Sequence, residues 1–248
     1  MKKTTGKKPT MSIIVPALNE EKNIEAAIKK AIRLAKPRFS AYEVIAINDG
    51  SRDKTGEIIE KIAKENKNVV AVHHDKPWGL GGTYRDGLSK AKYEYFSLLA
   101  GDNEELEDSQ AVLYDHVGEA DLIVSYTVNQ SVRATDRQMV SGIFTIIMNI
   151  LYGLNLRYYT GANIIKTELI RKTPMHTDGH FYMPSLIVRL VKQGYSYKHV
   201  PNRIRKSEGS NLYKLKNVIS IVKEFIRLFI EVNIANRSKY NKKLVMLS

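Results

Sequence analysis

The chain has 248 residues, enough for one substantial domain with a buried core, and it carries a formal net charge of +13. It contains no cysteine, which excludes disulfides and thiolate metal sites. Residues 1–131 hold 19 Lys and Arg against 20 Asp and Glu, whereas residues 132–248 hold 20 against 6, so all of the excess charge lies in the second half. This asymmetry indicates a surface that meets anions: phosphates, anionic lipid or nucleic acid.

The first half alternates strand and helix patterns. Residues 1–10 are basic and lack the apolar stretch of a signal peptide, so we expect a flexible tail there. The first helix is predicted to follow Asn19, which can cap a helix amino terminus. The predicted strands are 11–15, 42–48, 69–74, 95–100 and 121–126. The other predicted helices are 56–65, 83–91 and 109–117, and a Gly-rich loop at 78–82 precedes the helix 83–91. Such alternation predicts an α/β fold, a mostly parallel central sheet with helices on both faces, and ligands of such sheets bind where the strands end.

The second half is more helical. Residues 138–156 carry no charge, but polar side chains interrupt the run, so we predict a buried or interfacial helix and not a membrane span. Residues 214–236 form an amphipathic helical pattern that either packs on its own domain or contacts a membrane. We therefore expect one domain over residues 11–212, followed by a helical extension over residues 213–248.

Three turns carry the chemistry: PALNEE (16–21), NDGSRDKT (48–55) and GLGG (79–82) with the GDNE turn (101–104) that follows. In this order they resemble the family 2 glycosyltransferases of the GT-A fold, strongly over the first half of the chain. The resemblance implies a nucleotide-sugar donor, with Asp49 contacting its base or ribose. The remaining residues implied to bind the donor are Pro16, Ala17, Asn19, Glu20 and Gly82. Taken alone, Asp49 before a Gly-Ser pair is also a common turn former.

The GDNE turn matches the metal-binding Asp-x-Asp of that family imperfectly. Ala100 occupies the first position and Asp102 the second, with Glu104 where a further ligand is expected. Mg²⁺ or Mn²⁺ prefers such hard oxygen donors and can share its coordination with substrate phosphates. The alternative is that these acids only favour the start of the following helix.

The acceptor side lacks the acidic pair that would activate a hydroxyl, and only Asp178 in residues 174–190 is a possible general base. Residues 199–216 instead resemble the basic segment of polyprenol-phosphate glycosyltransferases. The resemblance implies that Arg137 and Arg205 act in catalysis beside Asp102. It also implies an acceptor-phosphate site formed by Arg133, Arg137, Ser141, Arg205 and Ser210.

We therefore predict a metal-dependent, inverting transfer of a sugar to a polyprenyl phosphate by an enzyme attached peripherally at the cytoplasmic, inner face of a membrane. Three alternatives remain open: transfer to a glycan hydroxyl, a nucleotidyltransferase on a similar sheet, and a sugar-nucleotide or lipid-binding protein without activity. The acidic first turn disfavours the nucleotidyltransferase. No recognition motif supports nucleic-acid binding.

Overall fold

The computed structural model describes residues 8–205 and 215–247. Within these ranges eight strands form one sheet in the order β3-β2-β1-β4-β6-β5-β7-β8. The strands are β1 (Thr10–Ala17), β2 (Ala41–Asn48), β3 (Val69–His73), β4 (Tyr95–Leu98), β5 (Leu122–Thr127), β6 (Ile164–Lys166), β7 (Ser196–Asn202) and β8 (Val245–Leu247). The central strand β6 runs antiparallel to β4 and β5, and the remaining pairs are parallel.

Helices cover both faces of this sheet. The α-helices of the described residues are α1 (Ile24–Arg38), α2 (Thr55–Glu65), α3 (Gly79–Lys90), α4 (Glu107–Asp115), α5 (Thr135–Tyr152), α6 (Thr167–Arg171), α7 (Tyr182–Lys192), α8 (Leu215–Ile230) and α9 (Arg237–Tyr240). Alternate strand residues point to opposite faces, so Ile14 joins one core while Ile13 and Val15 join the other. Helices α1, α2 and α4 pack on the second core, and α3, α5, α7 and α8 pack on the first.

The predicted α/β fold and its first five strands are confirmed, and two helix starts are corrected. Helix α1 begins at Ile24 and not after Asn19, because Asn19 adopts a left-handed backbone and its side chain bonds to the next turn instead. Helix α3 begins at Gly79, so the Gly-rich segment forms its first turn and is not a loop before it. Strands β6, β7 and β8 were not predicted.

The predicted helix at 214–236 corresponds to α8 and a following π-helical turn, Glu231–Ala235. Leu228 and Val232 are buried in the first core, whereas Val222, from the predicted apolar face, is exposed. The helix therefore packs on the sheet and still presents apolar side chains to solvent. In the part of the chain that the structure describes, no helix is long and apolar enough to cross a membrane.

Candidate active site

The turns after β1 and β2 are tied together at the edge where these parallel strands end. The amide of Asn19 donates to Ser51 Oγ (2.9 Å), and Asn19 Oδ1 accepts from the amide of Arg52 (2.9 Å). The amide of Glu20 donates to Thr55 Oγ1 (2.8 Å) at the start of α2. These bonds use the polar groups of both turns to hold one continuous wall. The predicted donor residues Pro16, Ala17, Asn19 and Glu20 lie in or directly beside it.

Asp49 is a buried carboxylate at the end of β2, and its oxygens already have partners. Oδ1 lies 2.7 Å from His74 Nδ1 and accepts a hydrogen bond from the amide of Trp78 (2.8 Å). Oδ2 accepts from the amide of Gly79 (3.2 Å). Because Trp78 and Gly79 precede and begin α3, Asp49 satisfies amides at that helix's amino terminus. Its first role here is to fix the start of α3, where Gly82 lies in the first turn.

The Asp102 turn is pressed against the end of β1. The amide of Gly101 donates to the carbonyl oxygen of Pro16 (3.1 Å). A Cβ on residue 101 would lie 2.6 Å from that oxygen and 3.0 Å from Ala17 Cβ, so only glycine fits. The close approach brings Asp102 next to the predicted donor wall. Asp102 Oδ1 accepts a hydrogen bond from the amide of Glu104 (3.0 Å), which fixes the carboxylate on the turn.

A buried lysine stands behind this turn. Lys30, on α1, is 3% exposed, and its Nζ donates to the carbonyl oxygen of Glu105 (2.8 Å). Burial raises the pKa of Asp102, while the Glu104 amide and the Lys30 charge oppose the rise. Burial, and next the charge of Asp102, raise the pKa of Glu105 to about 7. Two carboxylates therefore share a poorly solvated place with one ammonium, a setting that a cation would stabilise.

The turn fits a divalent ion only if another molecule completes the coordination. Across residues 8–205 and 215–247, no three His, Cys, Asp or Glu side chains are grouped so as to hold a metal by themselves. The turn nevertheless contains two shielded oxygens that have no partner in the part of the chain that the structure describes, Glu105 Oε2 and Asn103 Oδ1, beside Asp102. Hard oxygens of this kind suit Mg²⁺ or Mn²⁺, with phosphate oxygens as the remaining ligands.

Residues 203–205 form a strip that is hydrogen-bonded to the Asp102 turn. The amide of Arg205 donates to the carbonyl oxygen of Glu104 (2.9 Å), and the amide of Leu106 donates to that of Arg203 (3.1 Å). On its other side, Ile204 exchanges two hydrogen bonds with the side chain of Asn129, at 2.8 and 3.1 Å. The strip thereby joins the Asp102 turn to the segment that leads into α5, and the exposed Arg205 is carried on it.

Tyr158 interacts with two of the predicted acceptor-phosphate residues, Arg133 and Ser141. Arg133 Nη1 donates to the Tyr158 hydroxyl (2.6 Å), and its guanidinium lies 5.7 Å from the ring centroid. Burial opposes ionisation of Tyr158, but the Arg133 charge and hydrogen bonds from Thr160, Arg133 and Ser141 outweigh it and lower the pKa. Arg137 lies one helical turn before Ser141, on the same side of α5. The shielded Nε of Arg133 has no protein partner among the described residues.

Asp178, the possible base, lies against the first turn of α3. Its carbonyl oxygen accepts a hydrogen bond from the amide of Gly81 (2.8 Å), and a Cβ on residue 81 would lie 2.4 Å from the carbonyl oxygen of Thr177. The carboxylate is mostly exposed and paired with Arg85. To accept a proton from an acceptor hydroxyl, the Asp178 carboxylate would have to exchange this ion pair for the acceptor.

Sequence reasoning missed three residues of this site: Lys30, Glu105 and Tyr158. Glu105 directly follows the GDNE turn, whereas Lys30 and Tyr158 are ordinary members of a helix and a loop. Only their burial beside charged groups marks them. Ser210, predicted to contact the acceptor phosphate, lies outside the described residues.

The sequence is similar to known sugar transferases. The family described as Glycosyl transferase family 2 matches residues 12–174. A dolichyl-phosphate beta-glucosyltransferase of Trichomonas vaginalis is 24% identical over 89% of this chain and 73% of its own length. The poly-beta-1,6-N-acetyl-D-glucosamine synthase of Staphylococcus aureus is 26% identical over 86% of this chain and 57% of its own length.

Solved structures show the same fold. Glucosyl-3-phosphoglycerate synthase from Mycobacterium tuberculosis, in complex with Mn²⁺, uridine diphosphate and phosphoglyceric acid, superposes with a TM-score of 0.67 at 17% identity. The match covers 90% of this chain and 78% of that protein. A second structure of the same enzyme contains Mg²⁺ and uridine diphosphate and gives a TM-score of 0.63. The predicted GT-A fold is confirmed.

Proposed function

This chain belongs to glycosyl transferase family 2, and we propose that it moves a sugar from a nucleoside-diphosphate donor to the phosphate of a polyprenyl lipid. The observation that carries the proposal is the hydrogen-bonded strip 203–205. It anchors the exposed Arg205 to the Asp102 turn on one side and to the segment before α5 on the other. A transferase needs such a link, because donor and acceptor must meet in one fixed geometry.

The donor side consists of the wall built by the turns after β1 and β2 and the acidic turn beside it. The wall is proposed to hold the nucleoside. Asp102, with Glu104 or Glu105, is proposed to hold a divalent ion on the diphosphate. When bound, that ion would neutralise the charge that develops on the leaving diphosphate. The buried Lys30 keeps the acidic turn folded before any ion arrives, because it offsets part of the carboxylate repulsion.

The cations and hydroxyls of the acceptor side lie on the segment that leads into α5 and on α5 itself. Arg133 is oriented by Tyr158, and Arg137 and Ser141 lie one helical turn apart on α5. An acceptor phosphate is already an anion, so it needs cations to position it and no base to activate it. The ion pair between Asp178 and Arg85 supports this assignment, because it already engages the candidate base.

An exposed apolar surface near the acceptor side supports a lipid substrate. On α5, Met139, Ile143, Ile146 and Ile150 repeat at helical spacing and are each more than half exposed. On α8, Val222, Ile226 and Ile230 form a second exposed stripe. The two helices contact each other, since the Tyr152 hydroxyl lies 3.4 Å from the carbonyl oxygen of Phe225. Apolar stripes beside a basic segment suit attachment to the surface of an anionic membrane.

A second candidate is transfer to a hydroxyl of a glycan. It is favoured by the likeness to the poly-beta-1,6-N-acetyl-D-glucosamine synthase and by the position of Asp178 against the first turn of α3. In that case Asp178 would have to leave Arg85 and take the hydroxyl proton.

The test is a transfer assay with a panel of radiolabelled nucleotide sugars and Mn²⁺, offering polyprenyl phosphate or simple glycosides as acceptors. The proposal predicts label in the lipid phase, lost in Asp102→Asn and strongly reduced in Arg133→Ala. Glu107→Gln is the matched control, because Glu107 follows the same turn but pairs with Arg33 on the surface. Label found only in glycosides, and lost in Asp178→Asn, would establish the second candidate instead.

A further inference from the structure

Trp78 is the only tryptophan of the chain, and it lies in the connection between β3 and α3 with 47% of its surface exposed. One face of its indole is stacked on the His74 ring, with centroids 4.0 Å apart and ring planes 13° from parallel. An indole is large and apolar, so leaving nearly half of it exposed costs favourable burial. An exposed aromatic ring beside the donor wall suits a planar ligand.

The platform is rigid before any ligand binds. His74 is buried, and its two ring nitrogens lie 2.7 Å from Asp49 Oδ1 and 3.3 Å from Asp86 Oδ2. The backbone of Trp78 is held by the same Asp49 through its amide (2.8 Å). Ring and backbone are therefore fixed from two sides, and little conformational entropy remains to be lost on binding.

Asp49 itself has little capacity left for a ligand. It is 6% exposed and accepts from Trp78 and Gly79 while contacting His74. Leu18, directly after β1, is also exposed and so is available for apolar contact with a ligand. Recognition of a heterocyclic base at this edge therefore falls to aromatic and apolar contact more than to the carboxylate.

We propose that the exposed face of Trp78 stacks on the nucleobase of the donor, with Asp49 and His74 positioning the indole. This inference rests on the proposed function, because it takes the donor to be a nucleoside diphosphate. Stacking tolerates any base, since uracil and guanine both offer a π-face. Discrimination between nucleotides would then come from polar groups at the rim of the pocket and not from Trp78.

The single tryptophan makes the test direct. Intrinsic fluorescence of the full chain is titrated with UDP, GDP and inorganic diphosphate in the presence of Mn²⁺, and equilibrium dialysis of radiolabelled nucleotide measures binding independently. We expect both nucleotides to quench the fluorescence over the range in which dialysis shows binding, and diphosphate to leave it unchanged. Trp78→Ala should weaken nucleotide binding roughly five- to hundredfold, and Trp78→Phe much less.

Tyr93→Ala is the matched control, because Tyr93 lies just before β4, at the end of the sheet where the parallel strands begin and not where they end. Thermal melting verifies that each variant is folded. Nucleotide binding with unchanged fluorescence and unchanged affinity in Trp78→Ala would overturn the stacking while leaving the proposed function intact. Quenching by diphosphate alone, with normal affinity in Trp78→Ala, would overturn it as well. Failure of the wild-type chain to bind any nucleotide in dialysis would overturn both.

Discussion

The backbone amide of Arg205 donates a hydrogen bond to the carbonyl oxygen of Glu104, at 2.9 Å, although the two residues are about a hundred positions apart in the chain. Glu104 belongs to the acidic turn that follows β4, and Arg205 follows β7 on the far side of β6 and β5. The bond therefore joins the acidic and the basic parts of the candidate active site. Because it is made by the backbone, it survives substitution of either side chain.

Arg205→Ala should lower kcat/KM for the phosphate acceptor by roughly a hundredfold, because it removes a cation that meets charge developing in the reaction. The measurement is steady-state transfer at several acceptor concentrations. Arg203→Ala is the control, since Arg203 lies two residues earlier and is paired with Asp108 on the surface. A surface ion pair contributes little, so this variant should stay within about threefold of wild type. Equal losses in both variants would contradict a specific role for Arg205.

Gly101→Ala should destabilise the protein by about 1–3 kcal/mol, because the new methyl group would meet the carbonyl oxygen of Pro16 at 2.6 Å. Transfer activity should fall by more than the loss of folded protein explains, since Asp102 would shift with the turn. Gly142→Ala provides the contrast: it lies within α5 with nothing within 4 Å of its added carbon, and should stabilise by about 0.5–1 kcal/mol. Urea unfolding measures both, and a neutral Gly101→Ala would show that the turn is not close-packed.

Glu105 should make the folded state less stable as the pH rises. Burial raises its pKa from 4.5 to about 7 in the folded chain, so between these values the folded state binds more protons than the unfolded state. The free energy of unfolding therefore falls with rising pH across this range, by on the order of 2 kcal/mol. Glu105→Gln cannot ionise and should lose this dependence. Urea unfolding in EDTA at about pH 4.5 and about pH 8 tests it, and parallel pH dependences in both proteins would refute it.

Replacing Ile146 and Ile150 on α5 by glutamate should reduce binding to vesicles of anionic lipid at least roughly tenfold, because burial of exposed isoleucines contributes to attachment. Ile150 is 75% exposed, so its replacement leaves the core intact. Val112→Glu is the control on α4, which packs on the opposite face of the sheet. Co-sedimentation with vesicles measures the difference. Equal binding of all variants would mean that this surface does not meet the membrane.

The apolar runs at residues 11–15 and 42–48 are sufficient to predict β1 and β2, because strands buried on both faces are nearly continuous apolar segments. Strand β7 lacks such a run and is therefore not predicted from the sequence. It carries Lys198, His199 and Pro201, so its sequence does not alternate or form an apolar run. Strand β6 has only three residues and gains its place from pairing with two neighbours. Tertiary pairing, which a local pattern does not encode, decides these two strands.

The site residues show the same difference between what a local sequence pattern predicts and what tertiary packing decides. Asp49 and Asp102 follow predicted strands, so their residue types and positions indicated a common edge, whereas Arg205 was implied only by the resemblance of residues 199–216. Lys30 lies on a helix with two other lysines and is distinguished only by burial against the carbonyl oxygen of Glu105. The contacts of Asp49 with His74 and with the first amide of α3 also depend on how the segments pack. Neither relationship has a signature in the sequence.

The most direct test of the proposed function compares two lipid acceptors that differ in one group. Purified chain, Mn²⁺ and a radiolabelled nucleotide sugar are incubated with a polyprenyl phosphate or with the matching polyprenol, and label is counted in the lipid extract. Our account predicts label in the phosphate lipid alone, because Arg133, Arg137 and Arg205 are proposed to position an anion and the alcohol offers none. Equal or greater labelling of the alcohol would contradict it.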